Sequence, residues 1–356
     1  MRKTKVFLYA YINHIGAFNL SARTLAENLD KSKFEVYILS LGKGDLEIPN
    51  YHGVKIFSCF YPAKISNHLG ILWGIYHADV VFVMRGNHYR FVKRTLSVLR
   101  RPSFKRQGNK IDTLVEGSMS SAVGGKEHIA NSFNFCTKVY SPSDHVGKYN
   151  EMNWHIKYDK EVFLPPFIDT KQFTPTKRIR TSVKNVIFIG NDMIRKNINF
   201  YLELVSDFPL VQFHIVGKEP SKGFFKNHSK KNGVTNIIYH GLLKPDSLNS
   251  LLDSMDLHCL TSKSEGFGKV TIEVAAKGIP SILFDSYGAK EWMVDKVEGL
   301  LVETDMKYRT AIDKLVNDNS AYCELVKGVY NLASRFELTK QIVPYEKVLL
   351  SLSNGK

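Results

Sequence analysis

The sequence predicts an α/β protein of two domains, each a parallel sheet with crossover helices. Three observations lead there. Short β-branched runs alternate with helical patterns almost throughout. A stretch rich in turn formers, "LPPFIDTKQFTPTKRIRTS", interrupts the alternation near the middle. The 356 residues, 44% apolar and 12% aromatic, suffice for two cores rather than one.

The first series of strands is read at Lys5 to Ile12, Phe34 to Leu41, Val54 to Phe57, Ala78 to Met84 and Asp112 to Glu116, with helical segments such as "LSARTLAENL" (Leu20 to Leu29) between them. The stretch from Pro165 to Ser182 is the natural linker. A second series begins at "NVIFIGND" and continues with "VQFHIV", "NIIYHG", "LHCLTS", "PSILFD" and "GLLVET", each followed by a helix or a turn. Ligands of open parallel sheets bind beyond the carboxyl ends of the strands, so the chemistry is expected in a cleft between two facing sheets.

Composition excludes several classes. The apolar content argues against disorder. No apolar run reaches the roughly 18 residues that span a bilayer, and "MRKTKVFLYAYINH" has too short an apolar stretch for a signal peptide. Cys59, Cys136, Cys259 and Cys323 are scattered in apolar runs without a CxxC pair, which favours a reducing cytoplasm and no structural zinc.

The net charge of +15 is concentrated in the first half, where residues 1–175 hold 24 Lys/Arg against 14 Asp/Glu. Nine cations and no carboxylate lie between Asp79 and Asp112, among them Arg90, Lys93, Arg94, Arg100 and Arg101, interleaved with aromatic and aliphatic residues. That pattern suits a segment lying on an anionic membrane surface. Its alternatives are an ordinary solvated basic face or a nucleic-acid contact, and no nucleic-acid motif accompanies the run.

"SEGFGKVTIEVAAKGIP", Ser264 to Pro280, carries the clearest chemistry. Two carboxylates, Glu265 and Glu273, flank a Gly-Phe-Gly turn. "LHCLTS" is read as a buried strand, "KSEGFG" as the loop at its carboxyl end, and "KVTIEVAAKG" as a helix that Gly278 ends. The backbone N–H groups of Gly266, Phe267 and Gly268 would then face an anion at a positive helix terminus. Glu265 would precede this anion site and Glu273 would sit about two turns beyond it, on the helix flank. Carboxylates accept hydrogen bonds from vicinal hydroxyls, so the pair would hold the ribose and the sugar on either side of a diphosphate. The implied ligand is a nucleoside diphosphate sugar.

These residues resemble the acid, seven residues, acid motif of retaining glycosyltransferases of the GT-B fold, family 4. The likeness runs through "IIYHGLLKPDSLNSLLDSMDLHCLTSKSEGFGKVTIEVAAKGIPSILFDSYGAKEWMVDKVEGLLV", and "VFLPPFIDTKQFTP" is similar to the family's interdomain linker. The resemblance implies an acceptor-binding domain over 1–172, completed by a C-terminal helix over 337–356, and a donor-binding domain over 173–336. It also implies that Glu265 binds the transferred sugar, that Glu273 binds the ribose, and that Lys196 neutralises the diphosphate without a metal or cofactor. The family's companion arginine falls on Asn191. Arg195 either supplies that charge or is a solvated helix-start residue.

The first domain departs from the family pattern. "YINHIGAFNLS" offers Gly16 where a glycine pair is usual, and "TLVEGSMS" offers Glu116 where a histidine is usual. Glu116 is either an acceptor for a sugar hydroxyl, with a catalytic part, or a solvent-facing strand end. His14, His88 and His128 receive no role. The expected activity is transfer of a sugar to a glycan or lipid-linked acceptor, the expected setting being bacterial surface polysaccharide synthesis on the inner face of the cytoplasmic membrane. The rival is a non-catalytic sugar-nucleotide or membrane-binding protein on the same fold.

Overall fold

The computed structural model describes residues 2–48, 51–83, 110–114, 136, 138–170, 172–173 and 178–354. The described residues divide into two compact units: one holds those up to Pro166 together with those from Thr339 on, and the other is Phe167–Leu338.

In the first unit the strands are β1 (Thr4–Tyr11), β2 (Phe34–Ser40), β3 (Val54–Ser58), β4 (Val80–Val83), β5 (Lys110–Leu114) and β6 (Lys138–Tyr140). They form one sheet in the order β3-β2-β1-β4-β5-β6, parallel throughout. Strands β1, β2 and β4 are almost wholly buried, which is why they read as unbroken apolar runs rather than alternations. Among the described residues the helices of this unit are α1 (Ala17–Asn28), α2 (Ala63–His77) and α3 (Asp144–Trp154). Phe7, Tyr37, Leu39, Ile71, Ile75 and Val81 pack into one core between the sheet and α2.

The second unit repeats the plan. Its strands are β7 (Asn185–Ile189), β8 (Gln212–Val216), β9 (Ile237–Gly241), β10 (Leu257–Leu260), β11 (Ser281–Phe284) and β12 (Leu300–Val302), in the order β12-β11-β10-β7-β8-β9, again parallel. The helices are α4 (Ile198–Asp207), α5 (Phe224–Asn232), α6 (Pro245–Leu252), α7 (Lys269–Ala276), α8 (Asp305–Asn317) and α9 (Asn319–Arg335). A last helix, α10 (Leu338–Asn354), lies on the first unit: the Tyr345 hydroxyl donates to the Pro165 carbonyl at 3.1 Å, and Glu346 accepts from the Asp30 amide at 2.8 Å. Both sheets thus have the doubly wound order in which the chain reverses its direction of growth between the first and fourth strands. The switch point is β1/β4 in one sheet and β7/β10 in the other.

One expectation changes. The sequence reading stopped the first sheet at five strands, whereas β6 adds a sixth beside β5. Its three residues, "KVY", are too short to register as a periodic run, and only pairing with β5 makes them a strand. The stretch read as the linker carries two anchoring arginines. Arg178 reaches Asp256 at 2.6 Å, and the buried Arg180 guanidinium donates to the carbonyls of Met255 (2.7 Å), Lys277 (2.7 Å) and Leu252 (3.1 Å). Asp256 also accepts from the Lys184 and Asn185 amides, at 3.0 and 2.9 Å, and so fastens the starts of β7 and β10 together.

Replacing Arg180 with Ala would strand three buried carbonyls. We expect Arg180→Ala to lower unfolding free energy by about 3 kcal/mol, read as a lower denaturant midpoint; an unchanged midpoint would show that water takes over these contacts.

Candidate functional site

The site forms where β7 and β10 end side by side. After β7 the chain runs through "GNDMIRKN" before α4 begins. The Lys196 amide donates to the Asp192 carbonyl at 2.9 Å, and Asn197 takes a left-handed conformation (φ 58°) at the helix start. This turn sends the Lys196 stem back across Gly190: a Cβ there would lie 2.2 Å from Lys196 Cδ, so glycine is what leaves the path open. Thr261, just past β10, donates its hydroxyl to the Lys196 and Asn197 carbonyls at 2.9 and 3.2 Å. The two loops are latched to each other.

Glu265 lies on the β10 side of this latch, only 6% exposed. Lys196 Nζ approaches its carboxylate at 2.6 Å, Ser262 Oγ donates at 2.8 Å, and Arg195 Nη1 lies at 3.5 Å. Burial alone would raise the Glu265 pKa, but the charges of Lys196 and Arg195 and the hydrogen bonds from Lys196 and Ser262 outweigh it and hold the carboxyl below its usual range. Arg195 is not a solvated helix-start residue. Its side chain is 20% exposed, donates to the Ser264 carbonyl at 2.9 Å and meets the exposed Asp192 at 3.2 Å. Of the charges withdrawn from water here, two are positive and one is negative. Beneath them His258, fully buried in β10, is pushed down to about 3 by burial and then by the charge of Lys196, so it stays neutral at physiological pH.

The Gly-Phe-Gly turn divides its work. Gly268 sits at φ +87° as the cap of α7, a conformation that favours glycine. Phe267 is turned into the core, stacked on Trp292 with centroids 4.5 Å apart and edge-on to Phe336 at 5.2 Å. Any ligand contact from it is left to its backbone. Because 266–268 are not helical, Glu273 is the fifth residue of α7, roughly one turn beyond the Gly-Phe-Gly turn rather than two. Glu273 is half-buried with Lys269 Nζ at 3.7 Å. The two carboxylates therefore differ in kind, one buried and doubly paired, the other half-buried and more loosely held.

Three polar atoms around this turn, Ser264 Oγ, Thr271 Oγ1 and Tyr287 Oη, are buried without a hydrogen-bond partner. Such atoms are rare in folded proteins and are ones a bound molecule would satisfy. Tyr287, 1% exposed, follows β11, and burial, then Glu265, then Asp285 raise its pKa well above the ordinary value. The sequence reading passed over Tyr287, Ser262 and Thr271. The one signal for Tyr287 was its place at the carboxyl end of the next strand in the same half-sheet.

The other expected residues lie elsewhere. Asn191 is exposed on the loop after β7. Gly16 is in the first unit, capping α1 with φ −63° beside Asn19, whose side-chain oxygen accepts from the Tyr11 amide at 2.9 Å. His14 pairs with Asp45 at 2.6 Å. Glu116, His88, His128 and the cations Arg90, Lys93, Arg94, Arg100 and Arg101 fall outside the described residues.

Residues 169–331 match the family described as Glycosyl transferases group 1. The chain is 21% identical to an uncharacterized glycosyltransferase of Methanocaldococcus jannaschii, over 95% of this chain and 96% of that one. It is 25% identical to the lipopolysaccharide core biosynthesis glycosyltransferase LpsE of Rhizobium meliloti, over 47% of this chain and 49% of that one. Among solved structures, sucrose-phosphate synthase of Thermosynechococcus elongatus superimposes with a TM-score of 0.81 at 14% identity, covering 99% of this chain and all of the other. Anabaena HepE, in complex with UDP and glucose, does so with a TM-score of 0.76 at 13% identity, covering 98% and 100%. Both likenesses concern the fold, which is the GT-B arrangement of two parallel sheets.

The buried cluster predicts a specific response. Glu265→Gln leaves two partly buried cations without their carboxylate, and we expect a loss of about 3 kcal/mol in unfolding free energy at neutral pH. The Glu265 pKa is lowered in the folded state, so its contribution is present above the unfolded value of about 4.3 and disappears as pH falls through the lowered folded value. The difference between wild type and Glu265→Gln in thermal unfolding should therefore be full at pH 7 and shrink in acid below pH 4. A constant difference across that range would contradict the ion-pair account.

Proposed function

We propose that this chain, a GT-B glycosyltransferase whose residues 169–331 belong to glycosyl transferases group 1, transfers a sugar from a nucleoside diphosphate donor to a glycan or lipid-linked acceptor with retention of anomeric configuration. The observation that carries the reading is the buried Glu265 held by Lys196 and Arg195 at the β7/β10 switch point, beside three unpartnered polar atoms.

In this reading the second unit takes the donor. Its diphosphate lies on Lys196 and Arg195, against the backbone of Gly266, Phe267 and Gly268, and Glu273 accepts from the ribose hydroxyls. Glu265 accepts from hydroxyls of the transferred sugar. Breaking the anomeric C–O bond leaves the electron pair on the diphosphate while the sugar becomes oxocarbenium-like, so cations already in place stabilise the charge that develops. The acceptor hydroxyl then bonds to the anomeric carbon and gives up its proton to the departing phosphate. Fixed cations do the work a divalent ion would otherwise do. The first unit takes the acceptor, and Gly16 and Glu116 belong to that side. The setting we propose is surface polysaccharide synthesis at the inner face of a bacterial cytoplasmic membrane; LpsE, named for lipopolysaccharide core synthesis, is in keeping with it.

The kinetic expectations follow the roles. Glu273→Ala should raise donor KM about tenfold with a smaller effect on kcat, and Glu265→Ala should chiefly lower kcat, by a factor of about 100. Lys196→Ala should cost more turnover than Arg195→Ala, since Lys196 makes the closer approach to Glu265. Proton NMR of the product should show the donor's anomeric configuration, and EDTA should leave the rate unchanged. An inverted product would overturn the retaining assignment, and donor binding without any turnover would favour a non-catalytic sugar-nucleotide-binding protein.

A further inference from the structure

The solvent face of α2 is built against the usual rule for a surface helix. Its inner face is made by Ser66, Gly70, Ile71, Gly74 and Ile75, all buried. At 100° per residue, Ile65, Leu69, Leu72 and Tyr76 fall within about 60° of one another on the opposite side, where a helix of this kind ordinarily presents charged and polar groups. With Phe60 and Tyr61 in the turn before the helix, these six side chains are between 40% and 92% exposed. Scattered exposed hydrophobics need no explanation, but a stripe extended by two aromatics at one end does. At 1.5 Å per residue, the helical part alone runs roughly 17 Å.

The charge of the same segment identifies what covers it. From Ile48 to Ala78 the chain has Lys55 and Lys64 and no carboxylate. The next carboxylate, Asp79, is already spent on Arg2 at 2.9 Å and the Lys5 amide at 2.9 Å. An apolar stripe with tyrosines at both ends, a lysine in the first turn of the helix and no acid in the segment to repel lipid phosphates has the composition of a helix lying in a bilayer interface.

We propose that α2 and the Phe60–Tyr61 turn form a membrane-docking face, which inserts its apolar stripe at the headgroup boundary of an anionic lipid surface. The inference deepens the lipid-linked-acceptor reading and rests on it for its purpose, but its observations are independent of the donor site. It also differs from the cationic run between Asp79 and Asp112, because insertion of apolar side chains persists in salt that screens charge.

The test compares wild type with Ile65→Gln/Leu69→Gln/Leu72→Gln, a change that keeps good helix formers in α2. Each protein is pelleted with vesicles of phosphatidylglycerol and phosphatidylcholine, 3:7, at low and high salt. A second variant, Phe60→Ser/Tyr61→Ser, alters the turn and leaves α2 intact, and thermal unfolding verifies that both fold. The expected result is a fall of at least ~10-fold in vesicle partitioning for both variants, with wild type retaining measurable binding at high salt. Transfer to a short water-soluble acceptor should be unchanged in both variants. Equal pelleting of wild type and both variants overturns the proposal, as does failure of wild type to pellet. Loss of a concentration-dependent dimer in the variants, with vesicle binding unaltered, would assign the stripe to a second copy of the chain instead. Absence of turnover in wild type with intact vesicle binding would sink the transferase reading and leave the docking face standing.

Discussion

The ion pair between Lys196 and Glu265 depends on a strand order, and much of the second unit is arranged around it. Strands β7 and β10 are neighbours although about 70 residues separate them, because the chain builds β8 and β9 outward on one side and then returns to build β10, β11 and β12 on the other. At that reversal the loops leaving β7 and β10 diverge over the sheet, and the space between them is a place where side chains from distant segments can face one another. Lys196 comes from one loop and Glu265 from the other. Neither charge could be withdrawn from water alone without a cost of several kcal/mol.

The two strands are secured at both ends by polar contacts, each suited to its place. At the amino-terminal end Asp256 receives Arg178 and the amides of Lys184 and Asn185, while Arg180 takes up three carbonyls. These groups satisfy one another. At the carboxyl end Thr261 ties the loops, Ser262 and the two cations occupy Glu265, and Ser264, Thr271 and Tyr287 keep unmet hydrogen-bonding capacity. The three hydroxyls at the carboxyl end lie beside the buried charges, where a polar ligand could satisfy them.

Pairing also separates the two acids of the motif. Glu265 is a buried anion whose ionisation is maintained by its neighbours, so an arriving diphosphate would compete with it for Lys196 and Arg195. Glu273, on the flank of a short helix with one distant lysine, is free to change partners. Between them Gly268 supplies the left-handed residue that starts α7, and Phe267 anchors the turn to Trp292 and Phe336. A turn that carries backbone donors is thereby held by an aromatic stack rather than by further polar groups.

The sequence by itself determined the alternating α/β plan, because strands buried on both faces must be runs of Val, Ile, Leu and Phe, and such runs are visible wherever they exceed three or four residues. Strand β6 shows the limit: "KVY" is a strand only because β5 lies beside it. The motif was equally legible, since a glycine turn with two acids is a local pattern. What lay beyond it was not. Arg195 looked as much like a surface residue as a ligand-facing one until the fold set it against Ser264 and Glu265, and Tyr287 carried no mark of its unpartnered hydroxyl. The apolar stripe on α2 was hidden for the same reason, since periodicity shows that Ile65, Leu69, Leu72 and Tyr76 share a face but not that Ile71 and Ile75 are the ones turned to the sheet. Local spacing is written in the chain, whereas which distant groups meet, and which face is left to solvent, is decided by strand order and packing.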